Sequence, residues 1–191
     1  MNRKTIKRYS VDVMTGSVNP YDVTHAISIK LMYVIYMLRA GRDMKIVENR
    51  DWIIPPGWYG VHASQTLSEQ KEIEKIIHIL NTIEKRKNKN NDSHKTYSWY
   101  DIVKQFHQHR HLRGMIVGLI YVGEWKEKHE CGTCLWSFGK YCHVIRERIK
   151  LDEPVFHKGS LGLWEIDHDK REQIRTQEHK KSKKNNLKSL N

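Results

Sequence analysis

Two neighbouring stretches hold the side chains best suited to chemistry. Residues 45–52 read Lys-Ile-Val-Glu-Asn-Arg-Asp-Trp, and residues 57–64 read Gly-Trp-Tyr-Gly-Val-His-Ala-Ser. Both are dense in Val, Ile, Trp and Tyr, and Pro55-Pro56-Gly57 separates them, which predicts two strands joined by a short turn. Alternate side chains of a strand share a face, so Glu48, Arg50 and Trp52 fall together on the first, and His62 and Ser64 on the second. With Lys45 just ahead, this gathers a cation, a carboxylate, an aromatic ring, an imidazole and a hydroxyl near one sheet end. Such a set suits a planar, hydrogen-bonding ligand. The bland alternative is a solvated strand on which Glu48 and Arg50 pair with each other or with water, an arrangement that contributes little.

A second constellation is Cys131-Gly132-Thr133-Cys134, with Cys142-His143 downstream and His129 just before it. Cys131, Cys134, Cys142 and His143 have the donor types of a Cys3His zinc site. One CxxC without a matching pair is a weak signal, and unpaired thiols of a reducing compartment are the default. His107, His109 and His111 alternate, but no carboxylate or cysteine completes the set locally, so they read as a cationic loop. The expectation is therefore no metal and no cofactor.

The elements that must position these groups are legible in outline. The chain has 191 residues, long enough for one domain with a substantial core. Its formal charge is +12, from 34 Lys and Arg against 22 Asp and Glu, which favours a polyanionic partner, nucleic acid first. No apolar run is long enough to span a bilayer and no leader pattern follows the basic start, so an intracellular location, cytoplasmic or nuclear, is expected. Residues 1–23 read as a basic extension, 24–167 as the domain, and 168–191 as a basic, disordered tail. Within the domain, residues 26–30 predict a strand and 31–38 a buried helix stopped by Gly41. Thr66 to Glu69 has the form of a capping box for a helix running to about residue 86. A second helix opens near Ser98, with Trp99, Ile102, Val103 and Phe106 as its apolar stripe. Residues 115–122 are apolar on both faces and predict a central strand, in which Gly118 marks a bulge or a close backbone approach. Residues 161–166 form the last strand.

Three stretches in this order resemble the ASCH domain, a branch of the PUA-like superfamily. The first is residues 45–52 behind a strand and helix, with Gly60-Val61-His62-Ala63-Ser64 after them; this is similar to the family's lysine–glutamate signature and its G-(apolar)-H-A-S strand. The second is Leu112-Arg113-Gly114 running into residues 115–119. The third is Trp136-Ser137-Phe138-Gly139-Lys140-Tyr141, then residues 151–164 with Pro154, Lys158-Gly159 and Leu161-Gly162-Leu163-Trp164. The resemblance covers about residues 24–167. It differs at Tyr33, where many members have a cleft-lining tryptophan, and at Asp43, where the family has glycine.

The resemblance implies an α+β fold, a small twisted PUA-like β-barrel of five to six strands with flanking helices. It also implies a cleft near the lysine–glutamate signature that holds a single-stranded or modified RNA base. On that expectation Lys45, Glu48, Arg50, Trp52, Tyr33, His62, Ser64 and Lys158 are the base- and RNA-binding residues, with the basic ends contacting phosphates. Trp58, Trp136 and Trp164 are expected as core or lid. Some relatives hydrolyse N4-acylated cytidine and at least one cleaves RNA, so the alternative is an amidohydrolase or ribonuclease using Lys45, Glu48 and His62. The hydrolases carry a threonine where Glu48 stands, which weighs against that alternative.

Overall fold

A computed structural model describes residues 19–87 and 95–188, with side chains to Glu178. The fold is α+β: a six-stranded mixed sheet with four α-helices among the described residues. In chain order the elements are β1 (His25–Lys30), α1 (Leu31–Leu38), β2 (Val47–Arg50), β3 (Gly57–Ser64), α2 (Gln70–Lys87), α3 (Trp99–His109), β4 (Met115–Glu127), β5 (Tyr141–Phe156), β6 (Leu163–Glu165) and α4 (His168–Lys188). The sheet order is β2-β5-β4-β3-β1-β6, leaving β2 and β6 as edges, so the sheet is open and not a closed barrel. Only β1 and β3 pair in parallel; every other neighbour is antiparallel.

Apolar alternation explains how the sheet is covered. Ile27 and Ile29 of β1, Tyr59, Val61 and Ala63 of β3, and Val117, Ile120 and Val122 of β4 join Leu31, Val34 and Met37 of α1 in one core cluster. Ala26, Ile116, Leu119, Leu151, Val155 and Trp164 face the other way and are closed by Tyr21, Val23 and Ile174. A third cluster packs α1, α2 and α3 against Val47, Trp136 and Cys142. Val117 and Leu119 lie on opposite faces despite being two apart, because the registers of β4 with β3 and with β5 both shift between Ile116 and Gly118. The bulge expected at Gly118 is therefore present, and so is the close approach: a Cβ there would lie 2.6 Å from Leu38 Cδ1 and 2.7 Å from the Ile149 carbonyl oxygen.

Other expectations need correction. The strand expected over 45–52 is only Val47–Arg50, because the chain bends away at Asp51. α2 begins at Gln70, and its entry is held by the Glu72 carboxylate accepting from the Glu69 N–H, not by Thr66. The second helix is as expected, with Ser98 and Asp101 forming a capping box. The longest strand, β5, was not anticipated. Residues on either side of 24–167 also pack against the domain. Tyr21 and Val23 are buried, and the stretch read as a tail is helical from His168, with Ile174 wholly buried and Gln177 bonded to the backbone of Glu153. Residues 1–18 and 189–191, parts of the expected extensions, lie outside the described residues. No helix among the described residues is long and apolar enough to cross a membrane.

Candidate functional site

The carboxyl ends of the parallel pair β1 and β3 open on a cleft of about 990 Å³. The end of β2 reaches the same space, because the sheet curls: the Arg50 guanidinium donates to the Ser28 carbonyl of β1 at 2.9 Å, although β5, β4 and β3 intervene in the sheet order. Gln65 and Thr66 follow β3 along one side, and Phe156 at the end of β5 with residues 157–161 after it runs along another.

Lys45 and Glu48 lie at the deepest part. Lys45 is 1% exposed and Glu48 5%. The Lys45 backbone N–H is fixed by the Tyr36 carbonyl, and its ammonium donates to the Val47 carbonyl and to Glu48 Oε2 at 2.6 Å. The other Glu48 oxygen meets Arg50 at 3.0 Å. Burial pushes the Lys45 ammonium below its ordinary pKa, with Glu48 opposing the shift. For Glu48 burial acts to raise the carboxyl, but Lys45 and Arg50 together outweigh it and hold the group below its usual range. Two cations thus share one carboxylate, and the cluster carries a net positive charge. It favours an acceptor such as a ring carbonyl or a phosphate oxygen, while each carboxylate oxygen retains a lone pair for an exocyclic amine.

His62 and Ser64 are also present, in different states. The Trp164 indole N–H donates to Ser28 Oγ at 3.1 Å, Ser28 Oγ meets His62 Nδ1 at 3.1 Å, and His62 Nε2 meets the His157 carbonyl at 3.0 Å. This chain of partners assigns the Nε2–H tautomer to a neutral His62, and burial lowers its pKa accordingly. Both ring nitrogens are engaged, so His62 shapes the wall and is not free to act as a base. Ser64 Oγ and Arg50 Nε, by contrast, have no hydrogen-bond partner among the described residues.

Aromatic and basic groups complete the walls. Tyr33 and Phe138 have ring centroids 5.8 Å apart, Lys45 Nζ is 5.8 Å from the Tyr33 centroid, and Phe156, 61% exposed, stands at the rim. Burial and the nearby Glu72 and Glu48 push the Tyr33 hydroxyl well above its ordinary pKa, so it stays neutral. Lys158, Gly159 and Ser160 form a rim loop, and Lys30 bridges to Glu72 at 2.7 Å.

Of the eight residues expected at the site, Lys45, Glu48, Arg50, Tyr33, His62, Ser64 and Lys158 line the cleft. Trp52 does not. It follows the end of β2, where strand alternation no longer holds, and packs against the core beside α1. Phe138, Phe156 and Ser28 were missed as site residues. All three belonged to stretches already marked by the resemblance, but nothing in their residue types set them apart as cleft residues.

The cysteine constellation does not assemble a metal centre. Among the described residues no group of three or more His, Cys, Asp or Glu converges, and all three cysteines are free thiols. His143 is wholly buried: its Nε2 accepts from the Ile54 N–H at 2.8 Å, and its Nδ1 meets the Glu48 carbonyl at 3.1 Å. It is a structural histidine between β2 and the chain beyond, with no nitrogen left for zinc. Cys142 Sγ meets Ser137 Oγ at 2.9 Å and faces the third core cluster.

Comparison with protein-family models finds no match, and comparison with curated protein sequences finds none either.

Proposed function

We propose that the protein is an RNA-binding module of the ASCH type, holding one unstacked base of a single strand in this cleft while surface lysines and arginines contact phosphates. The observation that carries the reading is the Lys45–Glu48–Arg50 cluster. Buried ions are costly to desolvate and replaceable by apolar packing. This cluster forms the floor of a large concave site, has both donors and acceptors, and stands beside aromatic walls. A base stacked on Tyr33 or Phe138, with its polar edge toward Lys45, Glu48 and Arg50, matches that arrangement. The curl that brings β2 to β1 supports the expectation of a barrel-like PUA relative, and the cleft position beside the lysine–glutamate signature supports the family reading.

The test is an equilibrium titration of a labelled mixed-sequence ten-nucleotide RNA, single-stranded and duplex, with wild type and Arg50→Met. The single strand is expected to bind more tightly than the duplex. Arg50→Met is expected to weaken it about tenfold, the scale of one charge-assisted hydrogen-bonded contact. Equal affinity of a folded Arg50→Met variant contradicts the reading.

One observation favours the second reading, an amidohydrolase acting on N4-acylated cytidine: burial moves Lys45 toward the neutral amine that a general base requires. The threonine of such hydrolases is absent at Glu48, and the engaged His62 argues against a ribonuclease built on that imidazole. Incubation with N4-acetylcytidine and with labelled RNA, followed for deacylation and cleavage, separates both enzymes from a binder.

A further inference from the structure

A second hollow, of about 590 Å³, lies between the 3-10 turn Lys128–Cys131 and residues 138–140. It meets the cleft at Phe138, whose side chain lines both. Resting on the reading of the cleft as a base site, we infer that this groove is a second nucleotide subsite, taking the phosphate and base next to the one in the cleft.

Three observations support it. The first is position. Asn49 lines the cleft beside Arg50, and its Oδ1 accepts from the Phe138 and Gly139 N–H groups at 2.9 Å each, while its Nδ2 donates to the Trp136 carbonyl at 2.9 Å. One β2 side chain therefore fixes the shared wall relative to the Lys45–Glu48–Arg50 floor. The second is charge. Lys128, His129 and Lys140 line the groove, and Lys75 lies 4.3 Å from the Phe138 centroid. Glu127 lies 3.4 Å from His129 and Glu130 accepts from the Glu127 N–H, while among the described residues neither Lys128 nor Lys140 belongs to an ion pair. The third is the interleaving of aromatic rings with these cations. Lys140 lies 5.0 Å from the Tyr141 centroid, and Tyr141 stands edge-on, at 5.3 Å, to Trp125, which is 40% exposed. Cations interleaved with accessible aromatic rings are how a single strand is held without sequence preference: phosphate neutralisation plus stacking. An acidic peptide would use the cations and leave the rings unexplained.

The test titrates the labelled ten-nucleotide RNA against wild type, Lys128→Ala/Lys140→Ala, Lys128→Arg/Lys140→Arg and Arg50→Met across a salt series. The double alanine variant is expected to bind the RNA about tenfold more weakly, with a salt slope smaller by about 1.4, roughly 0.7 per lost phosphate contact on a single strand. The double arginine variant is expected to restore both. Unchanged affinity and slope in the double alanine variant, with Arg50→Met still impaired, overturns the groove and leaves the cleft reading standing. If wild type fails to bind the RNA at all, both fall.

Discussion

At the scale of single residues, the site depends on side chains whose charge state is set by burial. Lys45 and Glu48 pair in a place that water barely reaches, where burial lowers the ammonium's pKa while Glu48 opposes the shift, and Arg50 adds a second cation on the same carboxylate. Two neutral imidazoles brace this floor. His143 ties the Glu48 carbonyl to the Ile54 N–H, and His62 ties Ser28 to the His157 carbonyl. Burial lowers the pKa of both below the ordinary histidine value. In the unfolded chain each takes up a proton near pH 6.5, while in the folded protein each resists protonation to lower pH. The stability they contribute is therefore complete above about pH 6.5 and is lost as pH falls from there toward their folded values. Glu48, whose pKa is also lowered, adds a separate loss as pH falls from the ordinary carboxylate value toward its lower folded one. Thermal melts between pH 7.5 and 5 should show a falling melting temperature well before any carboxylate titrates. A flat profile over that interval would mean that the two imidazoles are not buried and neutral as described.

At the scale of elements, the cleft exists because β2, β1, β3 and the loop after β5 end together. The loop is seated against His62 by a glycine: a Cβ at Gly159 would lie 2.2 Å from His62 Cε1 and 2.8 Å from Ser28 Oγ. Gly159→Ala should push the loop off the wall, destabilising the fold by about 1–3 kcal/mol, which differential scanning calorimetry would register as a lower melting temperature. An unchanged melting temperature would place the loop away from the imidazole. Much of this arrangement was legible in the sequence wherever burial was one-sided or complete. β1, α1, β3 and β4 announce themselves through dense apolar runs, and Ser98 with Asp101 marks the start of α3. β5 did not, because Arg146, Glu147, Arg148, Lys150, Asp152 and Glu153 dilute its apolar positions; much of this strand is exposed and carries little alternation. Trp52 was misplaced for a related reason: two-residue alternation is reliable only inside a strand, and β2 stops at Arg50. Glu48, Arg50, His62 and Ser64, all within strands, fell where alternation put them. α4 was hidden by composition, since among its described side chains only Ile174 and Gln177 are buried, between mostly polar and charged neighbours.

At the scale of the whole molecule, the basic end is not all tail, because the described side chains of α4 pack against the sheet. Up to residue 178 the helix completes a core, through Ile174 and through the ion pair of Arg175 with Asp22 at 2.7 Å. Beyond it the sequence holds Lys180, Lys181, Lys183, Lys184 and Lys188, which add charge. Ile174→Ala should cost about 2–5 kcal/mol of stability. A chain ending at residue 178 should keep its melting temperature but bind RNA more weakly and with less salt dependence, as fewer phosphates are neutralised. Equal destabilisation by both changes, read from thermal melts, would contradict that division. The central claim is that recognition occurs in the cleft and that the surface charge only adds affinity. Amide chemical-shift mapping by NMR, during titration with the mixed-sequence ten-nucleotide single-stranded RNA, tests it most directly. The account predicts the largest shifts at Lys45, Glu48, Asn49, Arg50, Ser64, Gln65, Phe138 and Gly159; shifts confined to the lysines of α4 and the remaining surface, with these amides unmoved, would contradict it.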